Sequence, residues 1–462
     1  MKSVSHRPPV LALVAALMAG CAGHSSDAPF PPPRPIATDF EAYHAPVQPP
    51  TSDSSADINI EEPAEPLTLR HALALALMKN PALASASWDV RAAEARRLQA
   101  SLLPNPELEV EVEEFGGTGS LAGFRSAQTT IALGQLIELG AKRMKRTRLA
   151  ALDRDLAGWD YEARRIDVYA ATTRAFVDLL ASQHRLALAR QITQISQQVF
   201  DTASERVTSG KASPLEKNKA RVALGSSKLE LEQAKQELHA RRFRLASTWG
   251  GTLPRFIKAD GQFETVASIP TAEQLAGLIA QNPDIARWKT EMEQRQAALT
   301  LEKAKAVSDL TIRGGLNRLN EIDDTGFVVG LSIPLPIFDR NQGGIRESMY
   351  KLAKVSADRR AAEAKAHSSL AEAYQLLASA FAEATILKAE ILPAAQEAFD
   401  AANEGYRQGK FAYLEVLDAQ RTLFEVNARH IDALAAYHRA ADDVERLIGQ
   451  DLKSIQSQKQ EK

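Results

Sequence analysis

The strongest constraint on this chain is that its two halves repeat one another. Phe200 leads to Gly210-Lys211, Leu215-Glu216 and Ala220. Phe399 leads in the same way to Gly409-Lys410, Leu414-Glu415 and Ala419, each partner 199 residues later. Upstream, Asn80-Pro81 with Leu83-Ala84 matches Asn282-Pro283 with Ile285-Ala286 at an offset of 202. Tyr169, Phe176 and Leu180 answer Leu370, Leu377 and Phe381 at 201. A steady offset at three separated places marks an internal duplication and calls for the same element order in each half. That order is a short helix ending at Asn-Pro, a second helix, two strand-like runs, a very long helix, a turn and another helix.

The long helices are proline-poor. From Lys142 to Thr208 there is no proline, which at 1.5 Å per residue permits a helix of roughly 100 Å. Ile166, Tyr169, Thr173, Phe176 and Leu180 step by three and four. So do Leu188, Ile192, Ile195 and Val199, after one shift of phase. This is coiled-coil spacing. Gly344 to Arg407 repeats the theme, and Pro393 should kink or interrupt it. These helices are too charged for lipid and suit packing against each other in water.

The strand-like runs argue against a plain helical rod. Glu107, Glu109, Glu111 and Glu113 alternate with Leu108, Val110 and Val112. Thr129, Ile131 and Leu133 alternate with Gln128, Thr130 and Ala132 in the next run, with Gly116, Gly117 and Gly119 in the turn between. In the second half, Leu310, Ile312, Gly314 and Leu316 alternate, then Phe327, Val329, Leu331 and Ile333. Period-two alternation gives strands with two different faces. Runs of about 9–11 residues suit tilted strands crossing a bilayer. Four strands cannot close a barrel, since even small ones have about eight. An open edge in lipid costs several kcal/mol per unpaired backbone group. Strands that span a membrane therefore require the chain to oligomerise.

The first twenty residues read as a secretion signal: Lys2 and Arg7, then apolar residues 10–18, then Ala19-Gly20. The apolar run is too short to cross a bilayer as a helix. Cys21, the single cysteine, can form neither an internal disulfide nor a cysteine-rich metal site. Its setting, Met18-Ala19-Gly20-Cys21, resembles a bacterial lipobox, with methionine where leucine is usual. Ala22 after the cysteine, as in other lipoproteins, favours the outer membrane. Residues 21–66 hold ten of the chain's 22 prolines and read as an extended or disordered tether unable to bury a core. The domains expected are a signal at 1–20, a lipid-anchored linker at 21–66, repeats at 67–265 and 266–450, and a polar tail at 451–462. The hairpins fall at about 106–136 and 309–336, the helical tips near 210 and 409. A formal net charge of −2 argues against nucleic acid as a partner.

Together these segments resemble the TolC family of outer-membrane efflux channels, from Leu67 to Gly449. Leu67-Thr68-Leu69 through Asn80-Pro81 resembles its first helix. Leu103-Pro104-Asn105-Pro106 before the first strand, and Gln135 through Arg143 after the second, are similar to its heavy-metal exporters. Gly405-Tyr406 to Val416-Leu417-Asp418-Ala419-Gln420 resembles its periplasmic tip. The resemblance implies a mainly α protein with a transmembrane β part. It implies a homotrimer with a 12-strand barrel in the outer membrane and a long helical tunnel in the periplasm. The tips at Gly210, Lys211, Gly409 and Lys410 would dock on a periplasmic adaptor (membrane fusion) protein and, through it, on an inner-membrane RND pump driven by protons. Neither cofactor nor catalysis is implied.

By position, the acids that ring the family's closed entrance fall on Glu415 and Asp418. Six such carboxylates around one axis repel, which makes the gate sensitive to pH and cations. Tyr406 matches a latch tyrosine, but Phe411 stands where well-studied members carry arginine, so closure here must use other contacts. With Leu108, Val110 and Val112 toward lipid, Glu107, Glu109, Glu111 and Glu113 would line the pore and favour cations, partly offset by Arg313 and Arg318. His430 and His438 lie eight apart, not at the i, i+4 spacing of helical metal ligands, and no metal or catalytic motif is present. The reading is thus a passive duct for heavy-metal cations. A duct for drugs or other small organic molecules, and a poreless periplasmic coiled-coil lipoprotein, stand as alternatives.

Overall fold

The computed structural model describes residues 30, 32–48, 62 and 66–455. The expected signal peptide, Cys21 and much of the linker lie outside the described residues. The body opens with β1 (Leu67–Thr68), α1 (Leu69–Lys79) and α2 (Pro81–Ser101). A hairpin of β2 (Glu107–Glu113) and β3 (Gln128–Ile137) leads into α3 (Lys142–Thr208) and α4 (Pro214–Ser247). The second half runs β4 (Ala259–Asp260), α5 (Ala272–Ala276), α6 (Pro283–Lys305), β5 (Leu310–Leu319) and β6 (Asp324–Ser332). It closes with α7 (Gln342–Ile386), a π-helical turn (Leu387–Ile391), α8 (Leu392–Arg407) and α9 (Tyr413–Ile448). Among the described residues no helix is long and apolar enough to cross a membrane.

Local chemistry sets the boundaries the same way in both halves. Asn80 and Asn282 each cap the helix that begins at the following proline. Each also donates from Nδ2 to a carbonyl at the end of that half's last helix: Asn80 to Thr248 at 2.7 Å, Asn282 to Leu447 at 3.1 Å. An asparagine at the N-cap satisfies an orphan helix amide, and its free amide ties start to finish. At the tips, Gly210 and Gly409 adopt φ of 71° and 77°. Lys211 N–H bonds Arg206 O and Lys410 N–H bonds Gly405 O, both at 2.8 Å. These are matching Schellman endings, in which glycine takes the left-handed position without Cβ strain.

α3 is one unbroken helix of 67 residues, as its freedom from proline permits. Its partner in the second half is not. Leu370, Ala373, Leu377, Ala380, Ala384 and Leu387 are buried at steps of three and four. Continuing that stripe would bury residues 391 and 394. Instead Ile391 is exposed and the stripe resumes at Ala395, Phe399, Ala402 and Tyr406, one residue late. A π turn inserts one extra residue into a helix, and here it absorbs that shift. Pro393, in the first turn after it, removes a helical N–H at the same place. The interruption expected at Pro393 is therefore a single wide turn.

Both halves pack across a charged seam. On α3, Asp167, Arg174, Asp178 and Arg185 pair with Arg446, Asp443, Arg439 and Asp432 on α9. Phe176, Leu179, Phe256, Phe263 and Leu434 form the apolar core beside this seam, and a separate cluster around Val199, Phe399, Tyr413 and Leu423 fills the tip.

The proline-rich segment differs from expectation. Residues 32–48 contain no helix or strand, yet they are docked on the body, with Ile36 and Ala45 buried. Ile36 N–H bonds Gly449 O, Tyr43 N–H bonds Leu77 O, and Ala45 N–H bonds Ser87 Oγ. The buried pair Arg165–Glu162 holds it: Arg165 donates to the carbonyls of Ile36 and Ala37, and Glu162 accepts from Arg34 N–H. The stretch needs no core of its own because the body supplies backbone partners.

Candidate functional site

Four strands form one antiparallel sheet in the order β2-β3-β5-β6. β2 has seven residues, shorter than the 9–11 expected, and the others nine or ten. The register sorts the side chains onto two faces. Leu108 and Val110 lie opposite Leu133 and Ile131, which lie opposite Gly314 and Leu316, then Val329 and Phe327. That apolar face is uncovered in the single chain: Phe327 is 88% exposed and Val329 83%. Glu107, Glu109, Glu111 and Glu113 all stand on the other face, with Arg313 and Asn317. Among the described residues, β2 and β6 each have one edge without a partner strand.

Arg313 reaches across β3 to Glu109 at 2.6 Å. Its direct partners on either side are Gly134 and Gly330. A Cβ on Gly330 would lie 3.3 Å from Arg313 Nε, so glycine leaves room for the arginine to lie along the sheet. Arg318 corrects the expectation that it offsets the glutamates. Its register places it with Thr129 and Val112 on the apolar face, where it pairs with Asp323 at the strand's end. An even offset from Arg313 would have kept it with the acids; an offset of five does not.

At the far end, Gly210, Lys211, Gly409 and Lys410 are exposed at the two turns, and Glu415 and Asp418 are exposed on the first turns of α9. Tyr406 is fully buried. Its hydroxyl donates to Glu216 Oε2 at 3.1 Å, across to the other half. Burial, then the Glu216 bond, pushes its phenol up to about 12. Arg206 donates to Tyr406 O at 2.8 Å and lies over its ring at 4.6 Å. Tyr413 meets the Tyr406 ring edge-on at 5.9 Å. Phe411 folds back over Gly405, where a Cβ would sit 2.2 Å from its ring. The first-half residues that meet Tyr406 are thus Arg206 and Glu216. Sequence reasoning missed both as site residues, although Glu216 is the counterpart of Glu415 in the 199-residue repeat.

Among the described residues no group of three His, Asp, Glu or Cys could hold a metal ion. His438 Nε2 donates to Phe263 O at 2.8 Å, and His184 stacks on the Phe263 ring. These are packing roles.

A family model described as outer membrane efflux protein matches residues 72–251 and 275–450. Over 399 residues the chain is 36% identical to the cobalt-zinc-cadmium resistance protein CzcC of Cupriavidus metallidurans, covering 86% of this chain and 94% of that one. It is 28% identical over 299 residues to the nickel and cobalt resistance protein CnrC of the same species, covering 64% and 69%. The outer membrane protein VceC of Vibrio cholerae shares the fold, with a TM-score of 0.71 at 16% identity over 83% of this chain and 96% of that one. With the family matched in both halves and one relative this similar along most of its length, the chain belongs to the outer membrane efflux protein family, whose members are passive channels and not enzymes.

Proposed function

We propose that three copies of this chain close a 12-strand barrel and form the outer-membrane duct of a tripartite pump that exports heavy-metal cations. The observation that carries the closure is the sheet itself. It has four strands, two unpaired edges and one face of bare apolar side chains, and it cannot face lipid alone. The helical part has free edges too. Leu215, Val222 and Leu229 stand exposed at steps of seven along α4, and Leu376, Ile386 and Ile391 along the α7–α8 edge, which suits neighbour-to-neighbour coiled-coil packing. The two family matches and the paired Asn caps support two copies of one ancestral unit.

In this reading the apolar face meets lipid and Glu107, Glu109, Glu111 and Glu113 line the pore, with Arg313 engaging Glu109. Three chains bring a cation-favouring wall. Glu415 and Asp418 ring the closed entrance, Tyr406 latches it through Glu216 and Arg206, and the turns at Gly210-Lys211 and Gly409-Lys410 meet the adaptor. Cys21 carries the lipid anchor. The cargo follows from likeness to CzcC and CnrC, whose names record resistance to cobalt, zinc, cadmium and nickel.

The test is growth of a deletion strain across divalent metal salts and hydrophobic drugs, with the gene restored as control. Sensitivity confined to metals is expected. Sensitivity to drugs alone would move the cargo to organic molecules.

A further inference from the structure

We infer that the helix-side rim of the sheet is a docking surface for anionic phospholipid headgroups, made by a belt of lysine and arginine where the strands hand over to the long helices. The inference rests on reading the sheet as membrane-spanning and adds which lipid that rim selects.

The two rims of the sheet are opposite in charge. The register puts the start of β2, the end of β3, the start of β5 and the end of β6 on the helix side. The segments flanking those ends, 95–106, 137–150, 301–309 and 333–351, carry twelve Lys and Arg against five Asp and Glu. The far rim, 113–127 and 318–324, carries two against five. The whole chain has a formal charge of −2, so the basic excess on the helix side is local.

That excess is not consumed internally. Lys142 pairs with Asp309, Arg146 with Glu138, Lys305 with Glu302 and Lys351 with Glu347, which occupies all the acids of the rim except Asp339. Among the described residues Arg143, Lys145, Lys303 and Arg346 have no ion-pair partner, and all but Lys145 are exposed. They come from α3, α6 and α7, so the free charge extends around the rim. Exposed apolar side chains share the level: Leu335, Ile337 and Phe338 between β6 and α7, Met144 on α3 and Tyr350 on α7. Cations beside aliphatic and aromatic side chains, directly next to a bare apolar face, have the composition of a membrane–water interface. Residues 142–148 of α3 rise about 9 Å, close to the roughly 5–8 Å depth of one headgroup layer.

A second copy cannot supply the counter-charge, because each copy brings another basic belt to the same ring. Lipid phosphate can supply it, while the adjacent apolar face holds the acyl chains of the same molecule. The far rim is net acidic and lacks this attraction. The preference for anionic lipid is therefore confined to the leaflet on the helix side.

The test uses full-length protein in a neutral detergent, mixed with equal amounts of phosphatidylglycerol and phosphatidylcholine carrying the same acyl chains. The protein is repurified and the retained lipids are counted by mass spectrometry. One basic group near an anionic surface is worth about fivefold, so phosphatidylglycerol should be retained at least about tenfold over phosphatidylcholine at low salt. At about 1 M salt, where the screening length is about 3 Å, the preference should fall to within about twofold. Joint Arg143→Gln, Lys145→Gln, Lys303→Gln and Arg346→Gln should abolish it. Removing four exposed charges elsewhere on the body, by Arg255→Gln, Lys258→Gln, Lys289→Gln and Lys388→Gln, should leave it in place. Equal retention of the two lipids, or a preference that the second set removes as fully as the first, overturns the belt and leaves the spanning sheet. Should the belt variant not fold, the wild-type salt series decides, and a preference indifferent to salt overturns the belt. A preference shown by protein that alkaline carbonate strips from vesicles keeps the belt and removes the spanning sheet. Retention of neither lipid overturns both.

Discussion

Replacing Asp442 with asparagine should stabilise the protein, and more so as pH rises. Asp442 is 2% exposed, and neither carboxylate oxygen has a hydrogen-bond partner among the described residues. Tyr169 and Arg174 approach from α3, Asp443, Glu445 and Arg446 share α9, and Asp451 lies just beyond the helix. Burial raises the Asp442 pKa from the ordinary 3.8 to about 8, against the opposing pull of Arg174. Glu445, half-buried, is pushed up well above its usual range by burial and by Asp451.

A folded-state value above the unfolded one means that the stability is present in full below about pH 4. It is lost progressively as pH climbs to about 8. At roughly 1.4 kcal/mol per unit, holding the proton at pH 7 costs up to about 4 kcal/mol, or about 2–4 with partial solvent relaxation. Asparagine is neutral throughout and of nearly the same shape, so the cost disappears. Apparent unfolding midpoints by near-ultraviolet circular dichroism in detergent, from pH 5 to 9, read it out. The gain should grow with pH, reaching about 3–6 °C near pH 8, with a residual slope from Glu445. A constant offset at every pH, or a variant less stable than wild type at pH 8, would refute the burial argument.

Glu162→Gln should leave Arg165 buried without its counter-charge, costing about 3–5 kcal/mol locally; limited proteolysis should then cut within 32–48 faster than in wild type. Leu377→Ala, at a position with no exposure, should cost about 2–5 kcal/mol, seen as a lower midpoint without pH dependence. Gly405→Ala places a methyl where the Phe411 ring lies and should loosen the tip, measured as higher conductance.

Much of the fold was legible because its signals are local. The alternation in Glu107–Glu113 and the absence of proline from Lys142 to Thr208 each need only neighbouring residues, and the structure places a strand and a 67-residue helix there. The one-residue slip between Leu387 and Ala395 was also present in the spacing, but it shows only once the buried stripe is known. Partners that depend on chain closure left no local trace. Tyr406 finds Glu216 across 190 residues, and Arg165 meets the carbonyls of 36 and 37 from over 120 residues away. The docking of 32–48 was missed for that reason: proline-rich sequence shows that a segment has no core of its own, not that it lacks a surface to lie on.

Single-channel recording of the purified protein in planar bilayers tests the central claim most directly. We expect discrete, cation-preferring conductance steps that grow when Glu415→Gln and Asp418→Asn together relieve the charged entrance. Absence of any conductance, from protein that is folded and inserted, would contradict the claim that copies of this chain close around a pore.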